Sequence, residues 1–172
     1  TEGPASSNFR RFETRQELNG PWSLEFAGLD APEAVELSEL ADLSKSDRDA
    51  VRYFSGLITY KTMFPWDGPA DGDFRISLGT VATTAEVHLN GKYCGTVWTS
   101  PNEIVVSGVM KHGKNSLEIR VANTWANRLI GDQKLPESKR KTWTTYSGYN
   151  EDTDVAKYPS GLIGPVRILA AE

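Results

Sequence analysis

The chain has 172 residues, 38% of them apolar and 10% aromatic, enough for one core-forming domain and too hydrophobic for a disordered chain. Nineteen Lys and Arg against twenty-three Asp and Glu leave a net charge of −4, which gives no footing for a nucleic-acid partner. No apolar run reaches membrane-spanning length, so no membrane insertion is expected, and one cysteine, Cys94, excludes an internal disulfide framework.

Residues 1–20 are polar and turn-prone, and read as a linker or surface arm ahead of a single domain over residues 21–172. Trp22, Leu24 and Phe26 alternate with Ser23 and Glu25, the period-two signature of a strand with one buried face. Val35 and Leu37 suggest a second strand, and the charged run Leu40–Arg52 has room for a short helical turn. In LITYKTMF, residues Ile58, Tyr60, Thr62 and Phe64 share one face of a third strand. The Pro- and Gly-rich stretch 65–73 is a turn, after which Phe74, Ile76 and Leu78 alternate again.

The clearest pattern follows. Ala85, Val87 and Leu89 alternate into Asn90-Gly91, a pair that accepts the positive φ of a tight hairpin, and the chain returns through Tyr93, Gly95 and Val97. Runs at Ile104–Val106 and at Leu117, Ile119 and Val121 complete what reads as a four-stranded antiparallel sheet. From about residue 126 to 161 neither a clean strand nor an amphipathic helix can be read, although the stretch carries Trp143, Tyr146, Tyr149 and Tyr158. It is longer than an ordinary loop, so it must be packed on the body, ordered by a partner, or mobile. A last strand over Gly164–Leu169 turns Val166 and Ile168 inward. Seven or eight strands with little helix predict an all-β jelly roll or sandwich.

No catalytic constellation emerges. Glycoside hydrolysis needs two carboxyl groups held at a defined separation, and those here are scattered, with Glu86 and Glu118 outward on strands and Asp132, Glu151, Asp152 and Asp154 in the long stretch. His88, His112 and Cys94 lack metal-ligand spacing. No cofactor is required by any motif; a structural calcium is compatible with the composition, but no ligand set can be named. The aromatic residues are more informative, because a planar ring stacks on the apolar face of a sugar while neighbouring polar groups meet its hydroxyls. Trp98, Trp125, Trp143 and Tyr146 are candidate carbohydrate-binding residues on this ground, the alternative being that they cover the sandwich edge or pack on another domain. Asn127 and Arg128, just past a strand end, offer bidentate polar contacts; Asp132 either joins them or ties down Arg128 as an ion pair.

Several strings carry a family resemblance: Tyr53-Phe54-Ser55-Gly56, Ala85-Glu86-Val87 into Leu89-Asn90-Gly91, Gly113-Lys114-Asn115-Ser116-Leu117, Val121-Ala122-Asn123-Thr124-Trp125, Asn127-Arg128-Leu129-Ile130-Gly131-Asp132 and Ser160-Gly161-Leu162-Ile163-Gly164-Pro165-Val166. Over roughly residues 50–170 the chain resembles the galactose-binding-like β-sandwich domain of large bacterial glycoside hydrolases of the β-galactosidase and α-L-rhamnosidase types. The resemblance implies a non-catalytic accessory domain whose partner is the catalytic domain of the same polypeptide, in a periplasmic or extracellular protein. It also implies contact with a plant or microbial glycan, or a purely structural brace where glycan binding has been lost.

Overall fold

Four residues, Leu24, Tyr60, Ile119 and Val87, stand directly opposite one another across four neighbouring strands, and each is fully buried. One residue further along each strand, Ser23, Lys61, Glu118 and His88 form the matching outward row. Alternation in the sequence thus becomes one apolar and one polar sheet face, and each large side chain on the inner face contributes about 1.5–3 kcal/mol relative to exposure.

A computed structural model describes residues 10–172. Its strands are β1 (Phe12–Glu17), β2 (Trp22–Ala27), β3 (Val35–Leu37), β4 (Leu57–Trp66), β5 (Phe74–Ser77), β6 (Thr80–Val81), β7 (Thr84–Leu89), β8 (Lys92–Val97), β9 (Glu103–Val105), β10 (Gly113–Ala122), β11 (Leu162–Gly164) and β12 (Arg167–Ala171). Two helices, α1 (Asp49–Arg52) and α2 (Ala126–Gln133), and short 3-10 turns complete it. A six-stranded sheet of order β3-β2-β4-β10-β7-β8 faces a four-stranded sheet of order β1-β12-β5-β9, with β11 and β6 as a small pair at the side. All strand pairs within these sheets are antiparallel, and one cluster of buried apolar side chains fills the space between them. The architecture is an all-β sandwich.

Three sequence readings are corrected. The run Ile104–Val106 does not join the strands before and after it: β9 pairs with β5 in the facing sheet, Ile104 opposite Ile76, so the chain crosses the sandwich edge after β8. Residues 1–9 of the expected arm lie outside the described residues, but Phe12–Glu17 are a strand paired with β12. That strand was illegible because it is mostly solvent-facing; backbone bonding holds it, with the Glu17–Arg167 ion pair (2.9 Å) and Arg75 4.1 Å from the centre of the Phe12 ring. Finally, the stretch 126–161 does contain a helix. α2 escaped detection because two of its three buried residues, Asn127 and Asp132, are polar, so no apolar stripe marks it.

The hairpin turn at Asn90-Gly91 and the crossover between β9 and β10 lock together through their side chains. Asn90 and Gly91 have φ of 53° and 78°. Asn90 Nδ2 donates to Val109 O (2.9 Å) and Asn115 Oδ1 (2.8 Å), while Asn90 Oδ1 accepts from Ser116 N (3.1 Å). Fully buried Asn115 in turn bonds Lys111 and Gly113 backbone groups. Elsewhere Gly79, at φ 60°, lies against the Gly164 carbonyl, where any Cβ would overlap backbone. Gly91→Val is expected to cost about 1–3 kcal/mol from backbone strain alone, since nothing crowds the site. Gly79→Ala adds overpacking to strain and is expected to cost more, about 3 kcal/mol or above. Urea unfolding checks both; a Gly91→Val change inside the about 0.5 kcal/mol typical of featureless surface sites would reject the turn's role.

Candidate functional site

The register places several of the sequence-predicted residues at one end of the six-stranded sheet. Val121 pairs with Ala85, and Ala85 with Val97. Trp98, just after β8, and Trp125, three residues past β10, therefore leave the sheet at the same end, from strands whose paired residues Val97 and Val121 are two strand spacings, about 10 Å, apart. Trp98 is 81% exposed and Trp125 56%.

Behind Trp125, α2 docks by polar contacts. Arg128 N donates to Ser55 Oγ (3.1 Å), and Asn127, fully buried, donates from Nδ2 to Tyr158 O (2.9 Å). Arg128 Nη2 meets Asp30 Oδ2 at 2.6 Å, and Nε lies 3.3 Å from Asp132 Oδ1, one helical turn on; the latter is a charge contact without hydrogen-bond alignment. The other Asp132 oxygen accepts from Lys141 N (3.0 Å), Thr142 N (2.6 Å) and Thr142 Oγ1 (2.6 Å). Asp30 lies at the surface, and the Arg128 hydrogen bond holds its carboxyl below the usual range. Asn127, Arg128 and Asp132 lie on one helix with their polar groups engaged by the protein itself, Arg128 and Asp132 as the ion pair that was the alternative to ligand contact, and they set the path of the chain that follows.

That chain displays two more rings. Trp143 is 84% exposed and Tyr146 59%. Tyr146, Tyr149 and Tyr158 form an edge-to-face ladder with ring centres 4.9 and 5.5 Å apart, and Tyr158 is the residue whose carbonyl Asn127 holds. A cleft of about 390 Å³ lies beside α2, bounded by Asp30, Tyr53, Arg128, Asp132, Lys139 and Lys141. Sequence reasoning missed Asp30 and Tyr53, which lie 98 and 75 positions before Arg128; no local pattern could have joined them. A larger groove of about 710 Å³ crosses the outer face of the six-stranded sheet past Lys61, His88, Glu118 and Arg120. Its cations already pair with Glu25 and Glu118.

The return from the long stretch is pinned from below. Asn123 Nδ2 donates to Ser160 Oγ (2.6 Å) and its Oδ1 accepts from Gly161 N (3.0 Å), Asp42 Oδ1 accepts from Ser160 N (3.0 Å), and Tyr60 Oη accepts from Leu162 N (3.0 Å). Burial pushes the Tyr60 phenol far above the usual tyrosine range. Among the described residues no three His, Cys, Asp or Glu side chains gather as a metal site, so the calcium expectation gains no ligand set of that kind. Glu151, Asp152 and Asp154 are solvent-exposed, with Asp154 capping a 3-10 turn through Ala156 N. No helix among the described residues is long and apolar enough to cross a membrane.

Two variants test this scaffold. Arg128→Ala strands the buried Asp132 carboxylate and is expected to cost about 2–4 kcal/mol, the low side of the range for a broken buried pair because Asp30 is exposed. Faster proteolysis within residues 134–158 should accompany it; unchanged stability and cleavage would reject the clamp. Tyr60→Phe leaves the Leu162 N–H unpaired and is expected to cost about 1–3 kcal/mol. Because folding raises the Tyr60 pKa, its stabilisation is complete below the unfolded value of about 10 and is lost as pH rises past it. Stability curves between neutral and alkaline pH should therefore fall less steeply for Tyr60→Phe than for the parent.

No family model matches the chain. It is 33% identical, over 88% of its length, to a candidate beta-glucuronidase of Formosa agariphila. A rhamnosidase from Novosphingobium sp. PP1Y superimposes over 94% of the chain with a TM-score of 0.84 and 40% identity. A beta-D-glucuronidase from Dictyoglomus thermophilum shares the fold alone, with a TM-score of 0.61 and 18% identity over 98% of the chain and 29% of its own. The chain spans about 15% of the length of the first two. It is an all-β domain homologous to an accessory part of much larger bacterial glycoside hydrolases.

Proposed function

We propose that the chain is a galactose-binding-like accessory domain that supports a separate catalytic domain of a periplasmic or extracellular glycoside hydrolase and offers Trp125, Trp143 and Tyr146 to carbohydrate. The observation that carries this reading is the exposure of three large rings, at 56, 84 and 59%, on chain that polar clamps hold in place. An aromatic surface left open by a domain with a full core is suited to an amphipathic ligand, and a sugar ring supplies the apolar face and hydroxyl rim that such a surface meets. Asn127, Arg128 and Asp132 position these rings, and Trp98 extends the same margin. The rhamnosidase and beta-glucuronidase relatives support a parent enzyme that acts on glycosides, with the chemistry elsewhere in the polypeptide.

A second reading rests on the same rings: they are the seat on which the catalytic domain packs, and the domain is a brace. Titration with oligosaccharides, followed by Trp fluorescence, separates the two. Glycan contact predicts saturable quenching that Trp143→Ala abolishes while leaving the unfolding midpoint unchanged, because that ring contributes little to the core. No response from a broad panel of neutral and acidic oligosaccharides would leave the brace.

A further inference from the structure

The cleft beside α2 has an imbalance of charge that the clamps do not explain. Three carboxylates border it, and each already has an arginine partner: Asp30 and Asp132 share Arg128, and Asp49 lies 3.4 Å from Arg52. Lys134, Lys139 and Lys141 border it too, and among the described residues none has a carboxylate within 4.0 Å. Lys134 Nζ reaches only the Glu151 carbonyl. Neighbouring Arg140 is likewise without an acid and bonds the Leu135 and Gln133 carbonyls. By contrast, Lys61 and Arg120 of the larger outer-sheet groove already pair with Glu25 and Glu118. Arg52, Arg128 and the three lysines outnumber the three carboxylates here, so in a protein of net charge −4 this cleft presents local positive potential.

We propose that this cleft takes the acidic substituent of a sugar, a carboxylate or sulfate oxyanion, held by Lys139 and Lys141. The assignment rests on the carbohydrate reading above and gives its ligand a charge class. The clamp on Asp132 contributes directly: by bonding Lys141 N and Thr142 N it sets the Lys141 side chain at the cleft and leads the chain on to Trp143. One segment thus carries a cation for the oxyanion and, two residues on, an exposed ring for the sugar face. A lysine ammonium is a mobile point charge, so the site favours charge over a fixed fork geometry.

Calorimetric titration of the intact chain with oligogalacturonate, with sulfated galactan oligosaccharides, and with a neutral galacto-oligosaccharide tests the proposal. Acidic sugars should bind at least about tenfold more tightly than the neutral one, the scale of one charge-assisted contact, and lose most of that margin in 0.5 M salt. Which of the two acidic sugars binds identifies carboxylate or sulfate. The Lys139→Ala/Lys141→Ala double variant, at two exposed positions, should keep its unfolding midpoint and lose the preference. Equal binding of neutral and acidic sugars, or a preference that survives in the double variant, overturns the charge assignment and leaves the carbohydrate reading standing. Absence of binding by all three sugars and by the wider neutral panel removes both.

Discussion

The long excursion between β10 and β11 depends on how it is brought back. Where it rejoins the sandwich, Ser160, Gly161 and Leu162 present backbone N–H groups to Asp42, Asn123 and Tyr60, three acceptors from three separate parts of the chain. Buried N–H groups left without partners would each cost roughly 1–3 kcal/mol, so the return path is closely specified. With that end held, and with Arg128 and Asp132 holding the other, a segment that has no strand of its own among the described residues acquires a defined course. The Tyr146–Tyr149–Tyr158 ladder occupies the interval between these anchors.

Polar side chains do this work because the sandwich interior has no apolar surface to spare. Both inner faces are spent on each other, and the Leu24–Tyr60–Ile119–Val87 row is covered completely. The helix α2 buries Asn127 and Asp132 alongside Ile130, and these two polar side chains bond backbone groups of the excursion itself, Tyr158 O, Lys141 N and Thr142 N. Tyr60 serves both regimes, its ring in the core and its hydroxyl on the returning chain. The same economy leaves the rings of Trp98, Trp125 and Trp143 outside. A ring there has function or interdomain contact as its use, since folding of this chain does not require its burial.

The homology is consistent with this division. The chain corresponds to a small fraction of much larger glycoside hydrolases, and its carboxylates around the cleft are tied to arginines. The margin of the sheet offers surface: exposed rings, lysines without an ion-pair partner among the described residues, and hydrogen-bonded connections from both to the core.

Strand identity was legible in the residues because alternation is a local property: Trp22, Leu24, Ile58, Tyr60, Val87 and Ile119 all face inward as their spacing predicts. The Asn90-Gly91 turn was legible for the same reason, its positive φ being a demand that few residue types meet. Likewise Trp125, Asn127, Arg128 and Asp132 stood out as a polar and aromatic group just past a strand. Only the folded chain decided which sheet β9 joins, that Phe12–Glu17 is a strand, and that Asp30, Tyr53 and Lys139 meet beside Arg128. Those outcomes depend on backbone pairing and on polar contacts between distant segments. Neither leaves a periodic mark along the chain, whereas burial of a sheet face does.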